Sequence, residues 1–280
     1  MKRLLAALLI ACALPLAHAQ YGGDPGEQDR IYTGLWWNPA ESGWGLNTTH
    51  QGNILFATLF TYAADGQPMW LVASRLVGTS DFSYSGPLYR TTGPPFFQAP
   101  WTPVTPTQVG TMNIAYNSPD EAQLTYTVDG VTVRKRVERQ VFGTAIPLCV
   151  AVSGSRAAAT NYQDLWWNPA ESGWGINLTH QGDILFATLF TYLPSGRDGW
   201  FVGPGLLRQA DGSFTGPLYA TTGPAFDASP WPGIAFSQVG TMTLRFANGE
   251  RGTLAYDVQG TAVVKSIERQ VFGAVTSACR

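Results

Sequence analysis

Leu35-Trp36-Trp37-Asn38-Pro39-Ala40-Glu41-Ser42-Gly43-Trp44-Gly45 returns letter for letter as Leu165 to Gly175. Shifting the sequence by 130 positions keeps the halves in register without a gap, from Tyr32/Tyr162 through Phe142/Phe272 to Cys149/Cys279, with about half the letters identical. Such an echo is a tandem duplication. In a chain of 280 residues it defines two units of about 115 residues, each large enough for its own core.

Within a unit, β-branched and aromatic residues alternate with polar ones or run in short blocks, and Gly or Pro interrupts every 8 to 12 residues. This predicts an all-β unit of about eight strands: 32–37, 43–51, 53–62, 69–77, 83–91, 108–116, 122–129 and 131–141. Gln51-Gly52-Asn53, Ala64-Asp65-Gly66 and Asp129-Gly130 supply hairpin turns in which Gly and Asn accept positive φ. Short sequential strands favour an antiparallel up-and-down barrel, because closure removes the sheet's open edges; a sandwich is the alternative. Gly34-Leu35-Trp36 and the last-strand Arg139 resemble the calycin arrangement of lipocalin- and avidin-like barrels, in which a last-strand Arg packs across a first-strand Trp. Asp164 replaces Gly34 in the second copy, so the likeness is architectural only.

Ile54 to Tyr62 recurs unchanged at Ile184 to Tyr192 and is apolar on both faces. One face fills its own unit, and the economical cover for the other is the sister strand across a pseudo-two-fold axis. The sequence therefore predicts two barrel-like units packed as a pair.

The boundaries follow. Met1-Lys2-Arg3, an apolar run and Ala17-His18-Ala19 read as a signal peptide over 1–19, cleaved after Ala19; Leu9-Ile10-Ala11-Cys12 is a competing lipoprotein box. Residues 20–31 form a lead-in and 32–149 the first repeat, linker-like from 144. Residues 150–161 form a linker and 162–280 the second repeat. Without the signal, Cys149 and Cys279 are the only cysteines, and in a periplasmic or secreted protein they pair most simply as an intramolecular disulfide. No later segment has the length of an apolar membrane span. An outer-membrane barrel is disfavoured, because Arg134-Lys135-Arg136 and Glu138-Arg139 put charge on both faces of the last strand. Without Lys2 and Arg3 the chain holds 15 basic against 19 acidic residues, which excludes the basic face that nucleic acid requires.

Chemistry concentrates in residues shared by both copies. All ten Trp are paired, and outside the signal the only Lys are Lys135 and Lys265 and the only His are His50 and His180. Along the last strand Lys135 and Arg139 share a face with Val133 and Val137, as Lys265 and Arg269 do with Val263 and Ile267. A cation on an apolar face needs a partner. Glu41 and Glu171 are the candidates, with Trp36 and Trp166 as stacking surfaces. The cluster serves either as a lock that closes the barrel or as a cationic, Trp-lined pocket. Consecutive strand residues point to opposite faces. One of Trp36 and Trp37, and of Trp166 and Trp167, is then core, and the other is free to be a platform. Trp44, His50, Trp174 and His180 complete the candidate set. A single His per unit does not make a zinc site, and no metal or cofactor is expected. Ser42 with Glu41 and His50 lacks a nucleophile-elbow setting, and Glu41 with Glu138 is the candidate glycosidase pair.

The Trp-Trp-Asn-Pro-Ala-Glu-Ser-Gly-Trp-Gly motif, with Thr-His-Gln-Gly, Leu-Phe-Thr-Tyr and Arg-Gln-Val-Phe-Gly, resembles a repeat of exported proteobacterial proteins. The resemblance spans both repeats and implies no activity. The expected role is non-catalytic binding of a small or carbohydrate-like ligand at a Trp-lined site in each repeat. The alternatives are a protein-interaction module, an inhibitor or envelope scaffold using the Pro-rich loop with Trp101 and Trp231, and, third, a glycoside or ester hydrolase.

Overall fold

The computed structural model describes residues 30–80 and 82–280. The segment expected as a signal peptide, its expected cleavage site, Cys12 and all of the expected lead-in before Arg30 lie outside the described residues. Strands β1 (Gly34–Trp37), β2 (Gly45–Gln51), β3 (Ile54–Tyr62), β4 (Pro68–Ser80), β5 (Ser83–Thr92), β6 (Thr105–Tyr116), β7 (Glu121–Val128) and β8 (Val131–Arg139) form a closed barrel of antiparallel neighbours. It closes where Trp36 and Trp37 of β1 pair with Arg139 and Glu138 of β8. After β9 (Cys149–Val152) the pattern repeats as β10 (Asp164–Trp167), β11 (Gly175–Gln181), β12 (Ile184–Tyr192), β13 (Asp198–Arg208), β14 (Phe214–Thr222), β15 (Ala235–Phe246), β16 (Arg251–Val258) and β17 (Thr261–Arg269), a second closed barrel. The Asp129-Gly130 and Gln259-Gly260 turns place both residues at positive φ, as a two-residue hairpin between twisted strands requires.

Side-chain alternation explains the interiors. Trp36, Leu46, Leu55, Leu59, Leu71, Ile114, Leu124 and Val137 point inward and are buried, so the first barrel has a packed core; Trp166, Ile176, Leu185, Leu189, Leu244 and Leu254 fill the second. On β3 and β4 the intervening residues Phe56, Phe60, Tyr62 and Trp70 are buried too, with Phe190, Tyr192 and Trp200 of the sister barrel. The strands that are apolar on both faces therefore meet their counterparts. Trp70 donates its indole N–H to Thr191 O at 2.9 Å, and Trp200 returns the bond to Thr61 O at 3.1 Å.

Two exchanges reinforce the pair. The Pro-rich segments between β5 and β6 and between β14 and β15 cross to the opposite barrel. Phe96 enters the second core, where it lies 6.0 Å from Phe201, and Phe226 packs on the first, 6.2 Å from Tyr126. Gln51 and Gln181 form reciprocal clasps. Gln181 Oε1 accepts from Phe142 and Gly143 N–H, and Gln51 Oε1 from Phe272 and Gly273 N–H.

The segment expected as a linker opens with structure. β9 pairs antiparallel with β18 (Thr276–Cys279), placing Cys149 opposite Cys279 in a disulfide. Arg156, from the same segment, is buried against Asp164 at 2.5 Å, and Arg269 reaches the same Asp164 oxygen at 2.8 Å. The short β9–β18 ribbon gives the backbone polar groups of this connection partners that a free linker would have to find in water.

Candidate functional site

The candidate residues divide into three groups. At the seam, the Arg139 guanidinium lies 4.7 Å from the Trp36 ring centroid and Arg269 lies 4.9 Å from that of Trp166. Arg139 donates to Thr33 O at 3.0 Å and to Asp120 at 3.2 Å. A Cβ at Gly34 would stand 2.6 Å from Arg139 Nη1, so the first copy needs glycine there; the second places Asp164 at that position and binds its Arg directly. Burial lowers the pKa of Arg269, while Asp164 opposes the shift. With Trp36 and Trp166 fully buried, this group closes the barrels. Glu41 does not reach Arg139.

Glu41 instead meets the other inward cation. Lys135 Nζ lies 2.8 Å from Glu41 Oε2, which also accepts from Trp44 Nε1 at 3.2 Å; Lys265, Glu171 and Trp174 repeat this at 2.7 and 3.1 Å. The sister barrel's loop roofs each group. Trp231 lies 5.8 Å from Lys135 and donates to Ser42 O at 3.0 Å, and Trp101 lies 5.3 Å from Lys265 and donates to Ser172 O at 3.0 Å. Gly43 makes this approach possible. Its φ is +109°, and a Cβ would stand 2.4 Å from Ile234 of the crossing loop. Trp101 and Trp231 are thus half-buried across the barrel pair, and both ammonium groups have a carboxylate and two indoles around them. This satisfies the demand of a nearly buried cation.

The histidines are held inside. His50 Nδ1 accepts from Tyr32 N–H at 3.3 Å, and Nε2 lies 3.1 Å from Tyr84 Oη; His180 Nδ1 accepts from Tyr162 N–H at 3.0 Å. Burial pushes both imidazoles down to about 4, so they are neutral at physiological pH. At His180 the position of Tyr84 is taken by Phe214, 5.2 Å away and edge-on, and Nε2 has no hydrogen-bond partner among the described residues. Ser42 contributes its carbonyl to Trp231, and Glu138 sits on the outward face of β8 opposite Glu121, away from the inward Lys135 face that Glu41 meets. No group of three or more potential metal ligands occurs among the described residues.

Trp37 has a different setting. It faces outward from β1, and its indole N–H is buried without a partner among the described residues. It lines a cleft of about 410 Å³ between the barrels, together with Trp44, Phe60 and Gln140 from the first and Phe186, Thr188, Trp200, Tyr219, Ile234 and Phe236 from the second. Most of these partners lie outside the repeated motif. For Phe60, Phe186 and Thr188 the signal in the sequence was the apolar second face of Ile54–Tyr62 and Ile184–Tyr192. Of seventeen lining positions, fourteen carry the same residue in both copies; Pro204/Ser74, Ile234/Val104 and Phe236/Pro106 differ. Asn47 and Asn177 are buried, and Asn47 reaches Thr188 of the sister barrel at 3.4 Å.

The fold and site together define an all-β protein of two closed, mutually capped eight-stranded barrels with an aromatic cleft at their junction. Comparison with protein-family models, curated proteins and solved structures finds no match.

Proposed function

We propose that the protein is an exported, non-catalytic binding protein, and that its ligand is a small, largely apolar or ring-faced molecule held in the cleft between the barrels. The carrying observation is the cleft itself. Its volume falls within the usual range for small-molecule sites, and apolar aromatic walls with a few polar groups are the usual composition of such sites. Trp37 offers an unsatisfied indole N–H, whose burial costs free energy until an acceptor reaches it. Thr188 and Gln140 add polar contacts without a charge.

This reading moves the binding role from the barrel interior to its outer wall. The interiors are filled, Glu41 and Lys135 are committed to each other, and Arg139 is committed to Asp120 and to the Thr33 carbonyl. Their role is to hold the motif loop that presents Trp37 and Trp44. Export is supported by the disulfide, which persists in oxidising compartments. His50 is held against Tyr32 and Tyr84 and Glu138 stands opposite Glu121 on the outward face of β8, placements that suit a structural role for both.

The test is native mass spectrometry of protein purified gently from an exporting host. A reproducible added mass that is lost on denaturation, and absent from Trp37→Ala, supports the reading. An added mass that survives in Trp37→Ala rejects Trp37 as the platform, and bare protein throughout rejects a retained ligand.

A further inference from the structure

We propose that a second groove at the junction, lined by Arg90, Arg197 and Asp198, is a binding site for a neutral polyhydroxylated ligand of the saccharide class. It is distinct from the Trp37 cleft and rests on separate observations. The groove encloses about 830 Å³, with Met69 and Pro103 among its apolar walls and Thr105 among its hydroxyls.

The first observation is the divergence of the copies. Among the thirteen lining positions only Thr92, Gly93, Pro94 and Gly196 match their counterparts, against about half over the whole repeat. The changes run toward polarity: Arg90 stands where the other copy has Ala220, Asp198 where it has Pro68, Arg197 where it has Gln67 and Thr105 where it has Ala235. One side of the pseudo-two-fold junction has acquired hydrogen-bonding groups that packing does not require, since the other side is built without them.

The second observation is Asp198. It is 2% exposed, accepts one hydrogen bond from a neighbouring strand, Trp70 N–H at 2.9 Å, and forms no ion pair within 4 Å among the described residues. A carboxylate has about four acceptor positions. Burial without a close cation holds its carboxyl up at about 6. Donors from a ligand would relieve that cost.

The third is charge balance. Arg90 is already paired with Asp129 at 3.0 Å and Arg197 with Asp65 at 2.6 Å. With Asp198 the three carboxylates already outnumber the two guanidinium groups, so an anionic ligand would add an unbalanced charge, whereas a hydroxyl accepts from the remaining guanidinium N–H groups while donating to Asp198. Adjacent hydroxyls on a ring supply both functions at the spacing a carboxylate accepts. The ring's apolar face then lies on the exposed Pro103.

The experiment is a titration of 15N-labelled protein with maltose, N-acetylglucosamine and myo-inositol, following the backbone amide of Trp70 and the indole N–H of Trp37. Expected is a saturable displacement of the Trp70 amide by at least one of the three, with the Trp37 indole unmoved. Arg90→Ala, which installs the residue found at the equivalent position 220, weakens that binding about tenfold with the melting temperature unchanged. No displacement by any probe at tens of millimolar overturns the proposal. So does displacement confined to the Trp37 indole, which would assign the sugar to the aromatic cleft, or unaltered affinity in a folded Arg90→Ala variant.

Discussion

Acidification from pH 7 to pH 4 should destabilise the folded protein through two buried imidazoles. In the unfolded chain His50 and His180 take up a proton near 6.5; in the folded chain each does so only at about 4. Between these values the unfolded state binds more protons, so stability is complete above about 6.5, falls with pH, and levels off below 4. Between pH 7 and pH 4 a shift of this size is worth about 3 kcal/mol per histidine, or about 6 for the pair. Asp198 acts in the opposite sense. Its carboxyl titrates at about 6 in the folded protein and near 3.8 when unfolded, so its contribution is present at low pH and lost as pH rises through 6. Acidification recovers about 3 kcal/mol there, leaving a net loss of about 3. Urea unfolding at pH 7, 6, 5 and 4, followed by tryptophan fluorescence, measures it. His180→Asn keeps an acceptor for Tyr162 N–H and removes the titrating ring, so it should shrink the pH dependence by about 3 kcal/mol. A pH profile that is flat between 6.5 and 4, or identical in wild type and His180→Asn, would refute the reasoning.

The disulfide closes a separation of 130 residues; replacing Cys149 and Cys279 by Ser should lower stability by about 4 to 5 kcal/mol in urea unfolding. Lys135→Met leaves the Glu41 carboxylate beneath Trp44 without its cation and should cost about 2 to 3 kcal/mol, whereas Lys135→Met with Glu41→Gln should recover most of it; a double-mutant cycle by thermal unfolding reads this coupling. Phe226→Ala should cost about 2 kcal/mol and raise hydrogen exchange in the first barrel, around Tyr126, although the substitution lies in the second repeat. Gly43→Ala should separate Ile234 from the motif loop and loosen the Trp231 roof, seen as a red-shifted tryptophan emission.

Much of the architecture was legible because a barrel strand of alternating pattern states which face is inside. Trp36 and Trp37 show the method working at single-residue scale: adjacent residues must diverge, and the structure buries one completely and leaves the other on the wall. Lys135 and Arg139 were equally legible as inward cations, but they share one parity, and parity says nothing about height along the barrel axis. Height separates them, giving Arg139 to the seam and Lys135 to Glu41. The linker was less legible. Val150, Ala151 and Val152 are too few to display a period, and their strand character comes from pairing with Thr276, Ser277 and Ala278, over a hundred residues away.

The sequence by itself determined two all-β repeats, the duplicated aromatic motif, the doubly apolar strands and the available cysteine pair, because periodicity, turn chemistry and self-similarity are local or translational properties of a chain. Only the tertiary structure decided that the Pro-rich loops change barrels, that Trp231 and Trp101 roof the opposite Lys, and that the open surface lies at the junction. These are choices between covering one's own barrel and covering the neighbour's. Similar repeats carry much the same local preference for both, and the difference arises only when the two outer faces meet.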